Sequence, residues 1–73
     1  MVHKTKVPDG MPKQFWLDFI ASEIAVRVLT SQRYDKKLTP EIIVDDYELS
    51  SEDRKYVLEK SHKYVKERMK NGS

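Results

Sequence analysis

The sequence predicts an all-α fold, a small three-helix domain preceded by an extended N-terminal arm. Three observations predict it. Apolar side chains recur every three or four positions through residues 15–29 and again through 57–69, the period of one helix face. Pro12, Pro40 and Ser50 stand where helices begin. No segment alternates apolar and polar residues as a half-buried strand would.

Residues 1–12 form the arm. Pro8, Gly10 and Pro12 punctuate it, and "PDG" is a turn signature. No apolar period runs through it, so the segment is expected to be extended or disordered. Pro12 suits a first turn, where its missing N–H would be unpaired anyway. Helix one then runs from about Lys13 to Gln32, with Glu23 and Arg27 as an i, i+4 pair, and "SQRYDKK" ends it. Thr39 is the expected N-cap of helix two, with Pro40 first and Glu41 in the first turn, and the helix ends near Tyr47. Ser50 caps helix three, with Asp53 three residues on as a short form of the capping box. Helix three continues to about Lys70, residues 71–73 are a frayed end, and 13–70 make one domain.

Helix one carries more apolar surface than a single stripe. At 100° per residue, Leu17, Ile20, Ala21, Ile24 and Val28 form a core face, whereas Phe15, Phe19 and Val26 gather on a second. Asp18, Ser22, Glu23 and Thr30 lie between them. Two accounts fit. Helix one is the central helix, sandwiched by helices two and three and the arm, or its second face is a partner surface, with a homodimer as the preferred form. On helix three, Val57, Leu58, Ser61, Tyr64, Val65, Arg68 and Met69 form the inward stripe. Lys55, Glu59, Lys63, Lys66 and Lys70 lie opposite, joined by Tyr56 and, depending on rotation, Arg54. An outward Tyr56 would either meet a phosphate or base edge or lie over the contact with helix two.

Composition narrows the functional classes. With 73 residues and no cysteine, the chain has neither a disulfide framework nor a thiolate metal site, and oligomerisation is the remaining way to reinforce so small a core. Asp18, Glu23 and Arg27 interrupt the best membrane-span candidate, and "MVHKTKVPDGMP" has no apolar signal region, so a soluble cytoplasmic protein is expected. The only histidines are His3, in the arm, and His62, among lysines. Asp45 and Asp46 are adjacent and diverge on a helix, and no EF-hand, Gly-rich phosphate loop or His-x-x-x-His spacing occurs. The expectation is a non-enzyme without cofactor or metal.

Charge is segregated. The net is +2, but residues 34–53 hold two Lys against seven acids, whereas 54–73 hold seven Lys or Arg against two Glu. A basic last helix is either a solvated face or an anion-binding one.

"TPEIIVDDYELSSEDRKYVL", residues 39–58, resembles the helix-turn-helix unit of small bacterial and phage regulators, in which a Thr-Pro-Glu start, a short helix, a Leu-Ser turn and a capped second helix recur. It is also similar to the C-terminal half of a short antitoxin-like family. The resemblance implies a helix-turn-helix-like C-terminal pair and a regulatory, DNA-binding role. Ser51, Glu52, Arg54 and Lys55 would then face the major groove, Arg54 reaching guanine and Glu52 accepting from cytosine. Tyr56, Lys63, Lys66 and Lys70, with His3, Lys4 and Lys6 of the arm, would supply the remaining contacts. The alternative is a protein-protein interaction module such as an adaptor, inhibitor or antitoxin. Its contact residues would be Phe15, Phe19 and Val26 together with the acidic Asp45, Asp46 and Glu52, which repel phosphate and suit a basic protein. Duplex DNA is the first partner to test and a protein the second.

Overall fold

A computed structural model describes residues 4–34 and 37–71 of the protein, the last two as backbone only. His3, the side chain of Lys70 and residues 72–73 therefore lie outside the described part. The three helices are α1 (Lys13–Ser31), α2 (Pro40–Val44) and α3 (Ser51–Asn71).

Helix boundaries follow local chemistry. Pro12 is the N-cap of α1 and stays extended, while its carbonyl accepts from the amide of Trp16 at 3.1 Å. The end of α1 is tied down by Ser31, whose buried hydroxyl donates to the Val28 carbonyl at 2.7 Å and accepts from the Leu38 amide at 2.9 Å. One side chain thus ends the helix and fixes where the chain returns. Thr39 caps α2 through its carbonyl, which accepts from Ile42 and Ile43; its hydroxyl makes no cap bond. Ser50 does cap α3, its hydroxyl accepting from the Asp53 amide at 3.2 Å.

Helix two is shorter than the sequence predicts, ending at Val44 rather than near Tyr47. Tertiary pairing overrides the helical period there. Asp46 and Tyr47 close tight turns onto Ile43 and Val44, and the chain then extends to meet the arm. The Thr5 amide donates to the Asp46 carbonyl at 2.9 Å, and the Thr5 carbonyl accepts from the Glu48 amide at 2.8 Å, forming a parallel bridge between Thr5 and Tyr47. The described part of the arm is therefore extended and docked. Its "PDG" turn closes with the Met11 amide on the Pro8 carbonyl at 3.1 Å, and Gly10, at φ 83°, supplies the positive φ that the third position of a type II turn requires.

The two long helices run side by side in the same direction. Lys13 and Gln14 of α1 reach Asp53 and Tyr56 of α3 at one end, while Ser22, Ala25 and Val26 share a groove with Tyr64, Glu67 and Arg68 further along. The same offset sets Ala21 level with Ser61, both fully buried, so small side chains occupy the middle of this contact. The short α2 runs antiparallel to α3, with Glu41 beside His62 and Asp45 beside Arg54.

The core joins Trp16, Leu17, Ile20, Ala21, Ile24 and Val28 of α1 to Ile43, Val44, Tyr47 and Val57. The core face expected for helix one is buried throughout. On α3 the inward line is narrower than expected: Val57 and Ser61 are buried and Tyr64 is half-buried, but Arg68 and Met69 are exposed. Met69 continues the flank of Leu58 and Val65, beyond His62, where α2 makes its contact furthest along α3.

Candidate functional site

Two regions hold the residues that the sequence singles out. The first surrounds the turn before α3, where acidic groups meet cations from three parts of the chain. Lys6 lies 3.6 Å from Glu48, Lys13 lies 3.1 Å from Asp53, and Arg54 contacts Asp45 at 2.5 Å. Arg54 and Lys6, expected to face DNA, are thus turned towards carboxylates of their own chain. Asp46 and Glu52 are exposed and have no ion-pair partner among the described residues. The connection between α2 and α3 spans 45–50, longer than the three or four residues usual in a helix-turn-helix.

Tyr56 corrects a further expectation, because it is half-buried against α1 rather than outward. Its hydroxyl donates to Asp18 at 2.6 Å and accepts from Gln14 at 2.7 Å. The Tyr56 hydroxyl, with a smaller contribution from Gln14, holds the Asp18 carboxyl below its ordinary range, and Asp18 in turn raises the Tyr56 phenol. Lys60 sits over both neighbouring rings, 5.9 Å from the centroid of Tyr56 and 5.7 Å from that of Tyr64, which is cation–π geometry. At the other flank of α3, His62 contacts Glu41 at 2.5 Å and holds that carboxyl low.

Lys55, Lys63 and Lys66 do face solvent, and Lys4 is exposed on the arm. Lys55, Lys63 and Lys66 share the outer side of α3, and the arm lysines stand at the start of that helix. Lys6 is held at the turn by Glu48, whereas Lys66 lies fifteen residues into α3, about 22 Å along its axis.

The parallel α1–α3 pair gives the segregated charge a structural meaning. Both helices point their partly positive N-termini towards the acidic turn and their partly negative C-termini towards Arg33, Lys66 and Arg68. At the helix starts themselves the match is made on α3, whose first turn holds Glu52 and Asp53, an effect of a few tenths to about 1 kcal/mol per group at an exposed terminus, whereas α1 has no acid in its first turn and no base in its last.

The second region is the outer face of α1. Phe15, Phe19 and Val26 are 60%, 49% and 47% exposed, and no described segment covers them. They are not bare points on a polar helix. The Trp16 ring stacks on Phe19, with centroids 5.9 Å apart and planes 15° from parallel, and meets Tyr47 edge-on at 6.1 Å. The Tyr47 hydroxyl donates to Glu23 at 3.3 Å, and burial raises its phenol. The buried Trp16 indole N–H has no hydrogen-bond partner among the described residues. Periodicity missed Trp16 because it falls between the two faces of α1; its size and its place among Phe15, Leu17 and Phe19 were the available signal. Open grooves flank this face, one of about 530 Å³ bordered by Val26, Thr30, Tyr34 and Leu38, another of about 370 Å³ between Phe15 and residues 8–12 of the arm.

Among the described residues no three His, Asp or Glu side chains converge as metal ligands, and no helix is long and apolar enough to cross a membrane. Comparison with models of known protein families, with curated proteins and with solved structures finds no match to the chain.

Proposed function

We propose that the protein is a small non-enzymatic regulatory module that docks a protein helix on the outer face of α1. The observation that carries this reading is the exposure of Phe15, Phe19 and Val26 along one side of a helix whose other side is the core. Water-exposed aromatic rings on a rigid support favour burial against a partner, and such rings dominate interface energetics. Trp16 and Tyr47 provide the support beneath Phe19. Asp46 and Glu52, exposed at the turn, suit a polar rim and repel nucleic acid.

Duplex DNA is the second reading, favoured by the solvent-facing Lys55, Lys63 and Lys66. The pairing of Arg54 and Lys6 with carboxylates weighs against it.

A photoreactive side chain placed at position 19, and separately at position 63, separates the two in the cell that makes the protein. The expected result is a protein adduct from position 19 that Phe15→Ser suppresses. Adducts from position 63 alone, or adducts to DNA, would overturn the α1 reading.

A further inference from the structure

The fold divides the arginines of the chain into two kinds. Arg27 lies 3.2 Å from Glu23, and Arg54 contacts Asp45. Arg33 and Arg68 have no carboxylate partner among the described residues, and both line one groove between the far ends of α1 and α3. A lone guanidinium is well solvated, so exposure by itself assigns it nothing. Two guanidiniums brought to one groove by different helices are a geometry.

The groove holds about 220 Å³, and Val26, Leu29 and Thr30 form its α1 wall. A second groove of about 180 Å³ shares Val26 and Arg68 with it and continues along the helix pair past Ala25 and Tyr64. Each is smaller than the roughly 300–1,000 Å³ of a site for a whole drug-sized ligand, whereas the two in line suit a small molecule with a charged head and a short apolar body. The charge here stays positive. Arg33, Lys66 and Arg68 stand against Glu67 and two helix ends of about half a negative charge each.

The number of guanidiniums decides which anion fits. One fork satisfies a carboxylate or a phosphodiester, each singly charged with a single pair of free oxygens. A phosphate monoester carries close to two charges and three strong acceptor oxygens, which call for two forks. We infer that the groove between Arg33 and Arg68 binds a phosphate monoester with a small aromatic or apolar body, as an effector of the module. The two guanidiniums clamp the phosphate, the Thr30 hydroxyl stands on the same wall to donate to it, and the body lies along Ala25 and Val26 beside the Tyr64 ring. The site needs no partner on α1, so it stands or fails separately from the docking face.

Phenyl phosphate titrated into the full wild-type chain at low salt, followed by NMR, tests the site. The guanidinium N–H signals of Arg33 and Arg68 should shift and saturate. Arg33→Gln and Arg68→Gln should each weaken binding about tenfold, because each removes charge-assisted hydrogen bonds. Lys63→Gln removes the same charge from the outer side of α3 and should change binding less than about twofold. Dimethyl phosphate, a singly charged diester, and inorganic phosphate, which has no apolar body, should both bind more weakly than phenyl phosphate. All three substitutions fall on exposed side chains, so circular dichroism should be unchanged.

Absence of a saturable shift at millimolar phenyl phosphate overturns the site. Equal losses from Lys63→Gln and Arg33→Gln replace it with a diffuse positive field. Dimethyl phosphate binding as well as phenyl phosphate overturns the doubly charged head, and inorganic phosphate doing so overturns the apolar body. Duplex DNA that displaces the probe with the same dependence on both arginines overturns the small molecule in favour of a nucleic-acid backbone.

Discussion

The turn before α3 and the outer face of α1 both hold residues that look functional in the sequence, yet they meet different fates on folding. At the turn, charges that could serve a partner are matched within the chain: Lys6 with Glu48, Lys13 with Asp53, Arg54 with Asp45. On α1, Phe15, Phe19 and Val26 find no cover among the described residues. The difference lies in the two forces. Ions satisfy one another over several ångströms and are solvated when they do not, so a charged surface is complete without a partner. Apolar rings gain only by contact, so an uncovered row of them on a helix implies a surface still to come.

The largest test of this contrast sets the two sides of α1 against each other. Ile24 is fully buried, and Ile24→Ala should cost about 2–5 kcal/mol. Phe19→Ala under monomeric conditions should cost far less, because about half the side chain already meets water. Chemical denaturation of both variants gives the comparison. Equal losses would mean that the outer face belongs to the fold rather than to a partner.

Ser50→Ala should cost about 0.5–2 kcal/mol through loss of the α3 cap, again read by denaturation. An unchanged midpoint would remove the hydroxyl as the helix start.

Acid should act on the contact between Asp18 of α1 and Tyr56 of α3. Asp18 is held below the ordinary carboxylate range by the Tyr56 hydroxyl, so the stability it contributes is present above that range and is lost as pH falls through the lowered value. Glu41, lowered by His62, acts in the same sense. Asp18→Asn should therefore flatten the acid limb of a stability–pH profile. A limb of undiminished slope would assign acid sensitivity to other groups.

The smallest effect is expected at the turn itself. Lys6→Ala should change stability by less than about 1 kcal/mol, because Lys6 and Glu48 are both solvent-exposed, and the change should shrink further as salt is added. A large loss would show the arm to be held chiefly by charge rather than by its two backbone hydrogen bonds.

Much of this architecture was legible in the residues. The span of α1, its core face and the Ser50 cap follow from period and capping chemistry, which act within one or two helical turns. The end of α2 did not, because Tyr47 leaves the helix to pair with Thr5, forty-two positions away. Tyr56 was misplaced for a similar reason: helical geometry puts it towards the outer side of α3, but its hydroxyl has a carboxylate to reach on α1. The apolar rows on α1 could be read, yet which row would stay uncovered could not, since that depended on where α3 and the arm came to rest. The segregation of charge was visible, but its relation to the helix dipoles needed the parallel packing.

That parallel packing also bears on how the chain finds its fold. In a helical hairpin the first contacts join neighbours across a short loop, and helical proteins fold fast because most contacts are local. Here the bonds from α1 to α3 join Asp18 to Tyr56 and Gln14 to Tyr56, separations of thirty-eight and forty-two positions. The intervening chain, including α2, must cross back before either forms, and closing that loop carries an entropic cost. Refolding should therefore be slow for a helical chain of this length. A permuted chain that begins near α2 and links the present ends would change which of these contacts is local, and with it the order in which the helices meet.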